Sequence, residues 1–290
     1  MTRPARAKGA IKGIQTEMVA PISIDAPDPL KVDYLPGRGN RLVVSFAGVG
    51  RVRKLTPPHE FIGTASQDGE NHVLFVSDKS RSWMNGPGIA DSIVRLVKQY
   101  RDFHAITEIV ALGNSMGGFS ALVLADLMPI DTVISFSPQF SACQDMVPEE
   151  IRWSYYRDQI DRWLFADIGE MQNDRTEYYL FHADAENEAI HWMRFPHPAG
   201  HHHFVVLGQN HGLVRTLSKR GLLAKVVDQA IARKPKRVRK ALERGFLDRH
   251  MAVMRREVYE KTFPDIMSRA PARTAMHPGM AKGQNHDQVR

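Results

Sequence analysis

Ser115 stands between two glycines, in the stretch Gly113-Asn114-Ser115-Met116-Gly117. A serine hydroxyl is a weak nucleophile until a neighbouring base takes its proton and a third group orients that base. The later sequence offers both residue types. Asp184 ends the run "EYYLFHAD", and His211 lies in "VVLGQNHG". Serine, acid and histidine follow in the order expected of a serine on a strand-to-helix elbow. Glu186 and Glu188, in "DAENE", could replace Asp184 as the orienting acid. His201, His202 and His203 precede a strand, so they fall at the end of the sheet opposite the serine. His182, inside a strand, reads as a buried histidine with a partner. No carboxylates or cysteines accompany these histidines at metal-ligand spacing, so no metal is expected.

The elements that must position Ser115 are legible around it. "TEIVALG" (107–113) is a short β-rich apolar run, and "MGGFSALVLADLM" (116–128) has Phe119, Leu122, Val123 and Leu127 at helical spacing before Pro129. Strand, sharp turn and helix therefore follow one another. A strand and helix joined so tightly approach closely, and Gly113 and Gly117 relieve the crowding. The unpaired N–H groups of a helix N-terminus favour developing negative charge. One oxyanion donor would be the N–H of Met116. The other would come from "SFAGVG" (45–50), where the strand ends at Phe46 and Gly48 or Val49 donates.

Apolar β-rich runs recur at 41–48, 72–78, 107–113, 131–138, 177–184 and 202–208. Helical patterns cover 88–103, 213–232 and much of 236–262. This alternation implies an α/β fold, a mostly parallel central sheet with helices on both faces. The interval 139–176 is longer than a simple crossover needs. Its "EEIRWSYYRDQIDRW" reads as a helix carrying Trp153, Tyr155, Tyr156 and Trp163, either capping a pocket or burying aromatics in the core.

The chain has 290 residues, enough for one domain at about 21–269 between a basic arm at 1–20 and a polar tail at 270–290. No apolar run reaches membrane-spanning length, and the basic N-terminus lacks the apolar core of a secretory signal. Cys143 is the only cysteine. Together these features point to a cytoplasmic protein. The net charge of +7 is concentrated in "RKPKRVRK" (233–240). Without interleaved aromatics or a surrounding motif, that run reads as a solvated helix face, and no nucleic-acid partner is expected.

With "SFAGVG", "GNSMGG", Asp184 and His211 in hand, the chain resembles the α/β-hydrolase superfamily over roughly residues 40–232. "VISFSPQ" resembles bacterial serine hydrolases linked to surface polysaccharides. The resemblance departs at Ala47, where many members carry histidine, and no run of three glycines follows. It implies cleavage of an ester, thioester or amide through an acyl-enzyme, or acyl transfer to a saccharide or lipid, with no cofactor. The competing expectations are a hydrolase fold kept as a binding scaffold and a binder of anionic surfaces through the basic helices. A chain trimmed to about residues 21–269 is expected to keep its activity and melting temperature, measured by thermal unfolding beside the full-length protein.

Overall fold

The computed structural model describes residues 20–169, 175–196, 198, 200–246 and 253–267. The arm at 1–19 and the tail at 270–290 lie outside them. Nine strands form one sheet: β1 (Ile22–Ile24), β2 (Leu30–Leu35), β3 (Arg41–Phe46), β4 (His72–Asp78), β5 (Glu108–Asn114), β6 (Thr132–Phe136), β7 (Glu177–Ala183), β8 (His201–Val206) and β9 (Val253–Arg255), in the order β1-β2-β4-β3-β5-β6-β7-β8-β9. The six apolar runs of the sequence are β3 to β8, all parallel. They are near-continuous apolar segments because a parallel sheet is covered on both faces.

Three strands at the margins of the sheet, joined to their neighbours antiparallel, were not expected from the sequence. β2 is "LKVDYL", its apolar run broken by Lys31 and Asp33. β1 and β9 have three residues each, and β9 interrupts the stretch 236–262 that reads as helical.

Alternate residues of each strand feed two cores. Leu42, Val44, Leu74, Ile109, Ala111 and Leu180 face α2 (Ile89–Phe103) and α3 (Met116–Leu127), whose preceding helix α1 (Ile62–Ser66) lies on the other side. Val43, Val73, Val110, Leu112, Ile134 and Phe181 face that other side, packed by α1, α6 (Leu213–Lys219), α7 (Leu223–Ile231) and α8 (Pro235–Gly245). Each fully buried Val, Leu, Ile or Phe among them contributes roughly 1.5–3 kcal/mol. The helical pattern 213–232 is divided into α6 and α7 at Gly221, which has φ +66°. The long insertion between β6 and β7 holds one short helix, α4 (Ser154–Arg157), among its described residues. α5 (Glu186–Trp192) follows β7, and α9 (Arg256–Thr262) and α10 (Pro264–Met267) follow β9.

The basic run lies at the α7–α8 junction and on the exposed face of α8. Arg233 reaches Asp131 at 3.4 Å and Arg239 reaches Glu243 at 3.6 Å. No helix among the described residues is long and apolar enough to cross a membrane.

The turn from β5 into α3 is the most crowded place in the fold. A Cβ on Gly113 would lie 2.1 Å from the Gly117 carbonyl oxygen, and one on Gly117 would lie 2.3 Å from that of Phe46. Both obstacles are backbone, which cannot swing aside. Gly113→Ala and Gly117→Ala are each expected to destabilise the fold by about 3 kcal/mol or more in urea unfolding. Gly63→Ala, with nothing within 4 Å and a helical backbone, should be neutral or stabilise by roughly 0.5–1 kcal/mol.

Candidate active site

Ser115 sits between β5 and α3 with φ 58° and ψ −123°. An L-residue adopts such a conformation at a cost of about 1–3 kcal/mol and keeps it only where surrounding bonds enforce it. Here the Ser115 N–H donates to Phe136 O at 2.8 Å, and Ser115 O accepts from Phe119 N–H at 3.0 Å. The side chain is thereby pushed out of the turn towards the loop that follows β8. His211 lies in that loop, and its Nε2 is 2.9 Å from Ser115 Oγ. Its Nδ1 is 2.8 Å from Glu188 Oε1. A carboxylate only accepts, so Nδ1 carries the proton and Nε2 is left free to accept from the serine hydroxyl.

The acid on the imidazole is therefore Glu188 and not Asp184. β7 ends at Ala183, and the Asp184 carboxylate accepts the N–H of Gln209 at 3.3 Å. α5 begins at Glu186. Its first turn leaves Glu186 exposed and rotates Glu188 inward, where its side chain is 2% exposed. Placement at a strand's carboxyl end favoured Asp184. The rotation of the helix behind it selects Glu188.

Met116 opens α3, so its N–H has no acceptor within the helix. The Gly48 N–H instead donates to Glu60 Oε1 at 3.3 Å, so that donor is already engaged. Burial pushes the Glu60 carboxyl up to about 7. Val49 is buried beside it, its carbonyl held by Arg81 Nε at 3.2 Å.

A network that the sequence did not reveal surrounds Glu188. Arg152, from the insertion, donates to Glu188 at 3.0 Å and through two nitrogens to Glu150 at 2.6–3.0 Å. His191 Nε2 lies 2.7 Å from Glu150 Oε2, and its Nδ1 accepts the Phe140 N–H at 3.2 Å. Burial alone would raise the Glu188 carboxyl. The hydrogen bond from His211 and the charge of Arg152 overcome burial and hold it at about 2. The same balance, with His191 and Arg152 as partners, holds Glu150 at about 2.

The aromatics of the insertion go to different places. Trp153, at φ 57°, packs its ring 5.3 Å from that of His211 and carries the Arg152 guanidinium at 4.5 Å on its face. Tyr155 is exposed beneath Arg53, and Tyr156 lines a cavity of about 410 Å³ with Ser82, Asn85 and Leu164. Trp163 packs against the core. His201, His202 and His203 lie along β8. His203 Nε2 is 2.8 Å from Nδ1 of the fully buried His182, whose Nε2 donates to Pro138 O at 2.9 Å. Burial depresses His182 to about 4, so it is neutral at neutral pH. No group of three or more His, Cys, Asp or Glu among the described residues is arranged to hold a metal ion.

No protein-family model matches the sequence, and neither does any curated protein. Solved structures do. A serine hydrolase without a lid from Xanthomonas campestris aligns with TM-score 0.50 and 14% identity, over 74% of this chain and 94% of that one. MPT51 (FbpC1) of Mycobacterium tuberculosis aligns with TM-score 0.51 and 12% identity, over 73% and 99%. The capsule O-acetyltransferase of Neisseria meningitidis serogroup A aligns with TM-score 0.50 and 10% identity, over 71% and 94%. The chain has the α/β-hydrolase fold.

Glu150 and Glu188 make stability depend on acid. Both are depressed from 4.5 to about 2 on folding, so their contribution is complete above about pH 4.5 and is lost as pH falls towards 2. Arg152→Met removes a charge that holds both down. It should destabilise the protein by roughly 3 kcal/mol at neutral pH and move the acid-unfolding midpoint, followed by circular dichroism, to higher pH. Arg162→Met, an exposed change of the same charge, should leave that midpoint in place.

Proposed function

We propose that this α/β-hydrolase fold is a serine hydrolase that cleaves an acyl ester through an acyl-enzyme on Ser115. The observation that carries this reading is the unbroken hydrogen-bonded line from Ser115 Oγ to His211 Nε2 at 2.9 Å and from His211 Nδ1 to Glu188 at 2.8 Å. It is supported by the strained backbone that holds the serine at the head of α3.

The chemistry follows from those atoms. As Oγ bonds to the substrate's carbonyl carbon, its proton passes to His211 Nε2. The carbonyl π pair moves onto oxygen, and the N–H groups of Met116 and Val49 receive that oxyanion. Glu188 stays ionised and stabilises the imidazolium. When the intermediate collapses, the departing alkoxide takes the proton from His211. Water, deprotonated by His211, then attacks the acyl-enzyme and regenerates Ser115. A saccharide or lipid hydroxyl reaching the same carbon in place of water would make the reaction an acyl transfer. Thioesters and amides are open to the same attack.

Trp153 over His211 gives the site one aromatic wall, suited to an apolar acyl or sugar face. The mechanism needs no cofactor, and its partner is a small-molecule, saccharide or lipid ester.

A fluorophosphonate probe should label Ser115, identified by mass spectrometry, and Ser115→Ala should abolish labelling and p-nitrophenyl acetate hydrolysis. His211→Ala and Glu188→Gln should each lower kcat on the order of 10⁴-fold. Adding either to Ser115→Ala should cost almost nothing further, because the three act as a unit. Asp184→Asn and Glu186→Gln should stay within about tenfold of the unaltered enzyme. Full esterase activity in Ser115→Ala overturns the reading.

A further inference from the structure

Gln139 is fully buried, and its side-chain Nε2 lies 3.0 Å from Ser115 Oγ. The orientation of that amide is fixed by chemistry. Its Oε1 is 3.3 Å from Trp83 Nε1, and an indole nitrogen only donates. The oxygen must therefore face Trp83, itself fully buried, and the NH₂ must face the serine. The serine hydroxyl gives its own proton to His211, so Oγ has lone pairs free to accept from Gln139.

The backbone around Gln139 is held at three neighbouring residues. Ser137, at φ 43°, donates its N–H to Phe181 O at 2.7 Å. Pro138 O accepts from His182, and the Phe140 N–H donates to His191. A side-chain donor pinned in this way is pre-aimed, the condition under which a donor lowers a barrier instead of following the charge.

Resting on the hydrolase reading above, we infer that Gln139 is a catalytic residue, the side-chain donor of the oxyanion hole. In the resting enzyme its N–H bonds to Ser115 Oγ. Once Oγ has bonded to the acyl carbon it becomes an ester-type oxygen and a poorer acceptor. The carbonyl oxygen on that same carbon becomes negative and a far better one. The Gln139 N–H then moves to the oxyanion. It binds the transition state more strongly than the ground state, which is what raises kcat. This role also explains how the site works with the Gly48 N–H engaged by Glu60. The side chain adds a donor to those of Met116 and Val49, in place of the Gly48 N–H that the loop after β3 has committed to Glu60.

The test uses the full-length protein and two readouts, the rate of fluorophosphonate labelling of Ser115 and kcat with KM for p-nitrophenyl acetate. The labelled serine carries a phosphoryl oxygen in the oxyanion position, so both readouts report the hole. Gln139→Leu keeps the volume and removes the donor. It should lower kcat and the labelling rate by on the order of 10²-fold, with KM changed little. Gln139→Glu turns a carboxylate towards the oxyanion and should cost more. Trp83→Phe frees the amide to rotate and should cost less than Gln139→Leu, with the same kcat-selective pattern. Melting temperatures within a few degrees of the unaltered protein separate this effect from misfolding. If Gln139→Leu unfolds, the comparison of Gln139→Glu with Trp83→Phe decides. Unchanged or faster labelling and turnover in Gln139→Leu or Gln139→Glu, or a loss confined to KM, overturns the inference alone. Absence of Ser115-dependent labelling in the unaltered protein overturns the hydrolase reading and the inference with it.

Discussion

The contact between Gly113 and the Gly117 carbonyl is the constraint on which the rest of this structure turns. With backbone 2.1 Å from where a Cβ would stand, β5 and the first turn of α3 meet with no side chain between them. At that junction Ser115 is held at φ 58°, its hydroxyl 2.9 Å from His211 Nε2. Everything else around the serine is arranged on a point fixed by this contact. The β8 loop brings His211, the β6 loop brings Gln139, and α3 presents the N–H of Met116.

Those fixed positions are joined electrically by a chain of alternating sign. Glu188 accepts from both His211 and Arg152, and Arg152 in turn holds Glu150, which accepts from His191. Each carboxylate is buried and would be driven neutral if it stood alone. Each is kept charged by a neighbour contributed by a different element. The insertion between β6 and β7 therefore does more than add an aromatic ring beside His211. It supplies the guanidinium that keeps the carboxylate on the imidazole ionised, and Trp153 limits where that imidazole can tilt.

Much of this was legible in the sequence, and the legible part has a common character. The six buried parallel strands are written as continuous apolar runs. The tight turn from β5 into α3 is written in the spacing of Gly113, Ser115 and Gly117. The approach of His211 to Ser115 follows from chain order at the carboxyl edge of the sheet. The acid was not resolved, because Asp184, Glu186 and Glu188 lie within five residues and only the start and rotation of α5 decide which points inward. The edge strands β1, β2 and β9 are too short or too interrupted by charge to show an alternating signal. Gln139 and Arg152 left no local trace. The partners of Gln139 lie 24 and 56 residues away and Glu188 lies 36 from Arg152, and long-range polar pairing has no periodicity to read.

The alternation of charge around Arg152 also limits how this protein can change. Among Glu150, Arg152 and Glu188 one guanidinium serves two carboxylates, with the Glu150 side chain 1% exposed and that of Glu188 2%. Replacing Arg152 alone strands two buried negative charges, and replacing Glu150 alone leaves the guanidinium to a single partner that must also serve His211. A viable route through sequence space passes through paired substitutions: a neutral residue at 150 accompanies a neutral one at 152, with a new donor found for Glu188. Three positions spread over two elements thus behave as one heritable unit. Among diverged copies of this chain, residues 150 and 152 should be exchanged together or kept together.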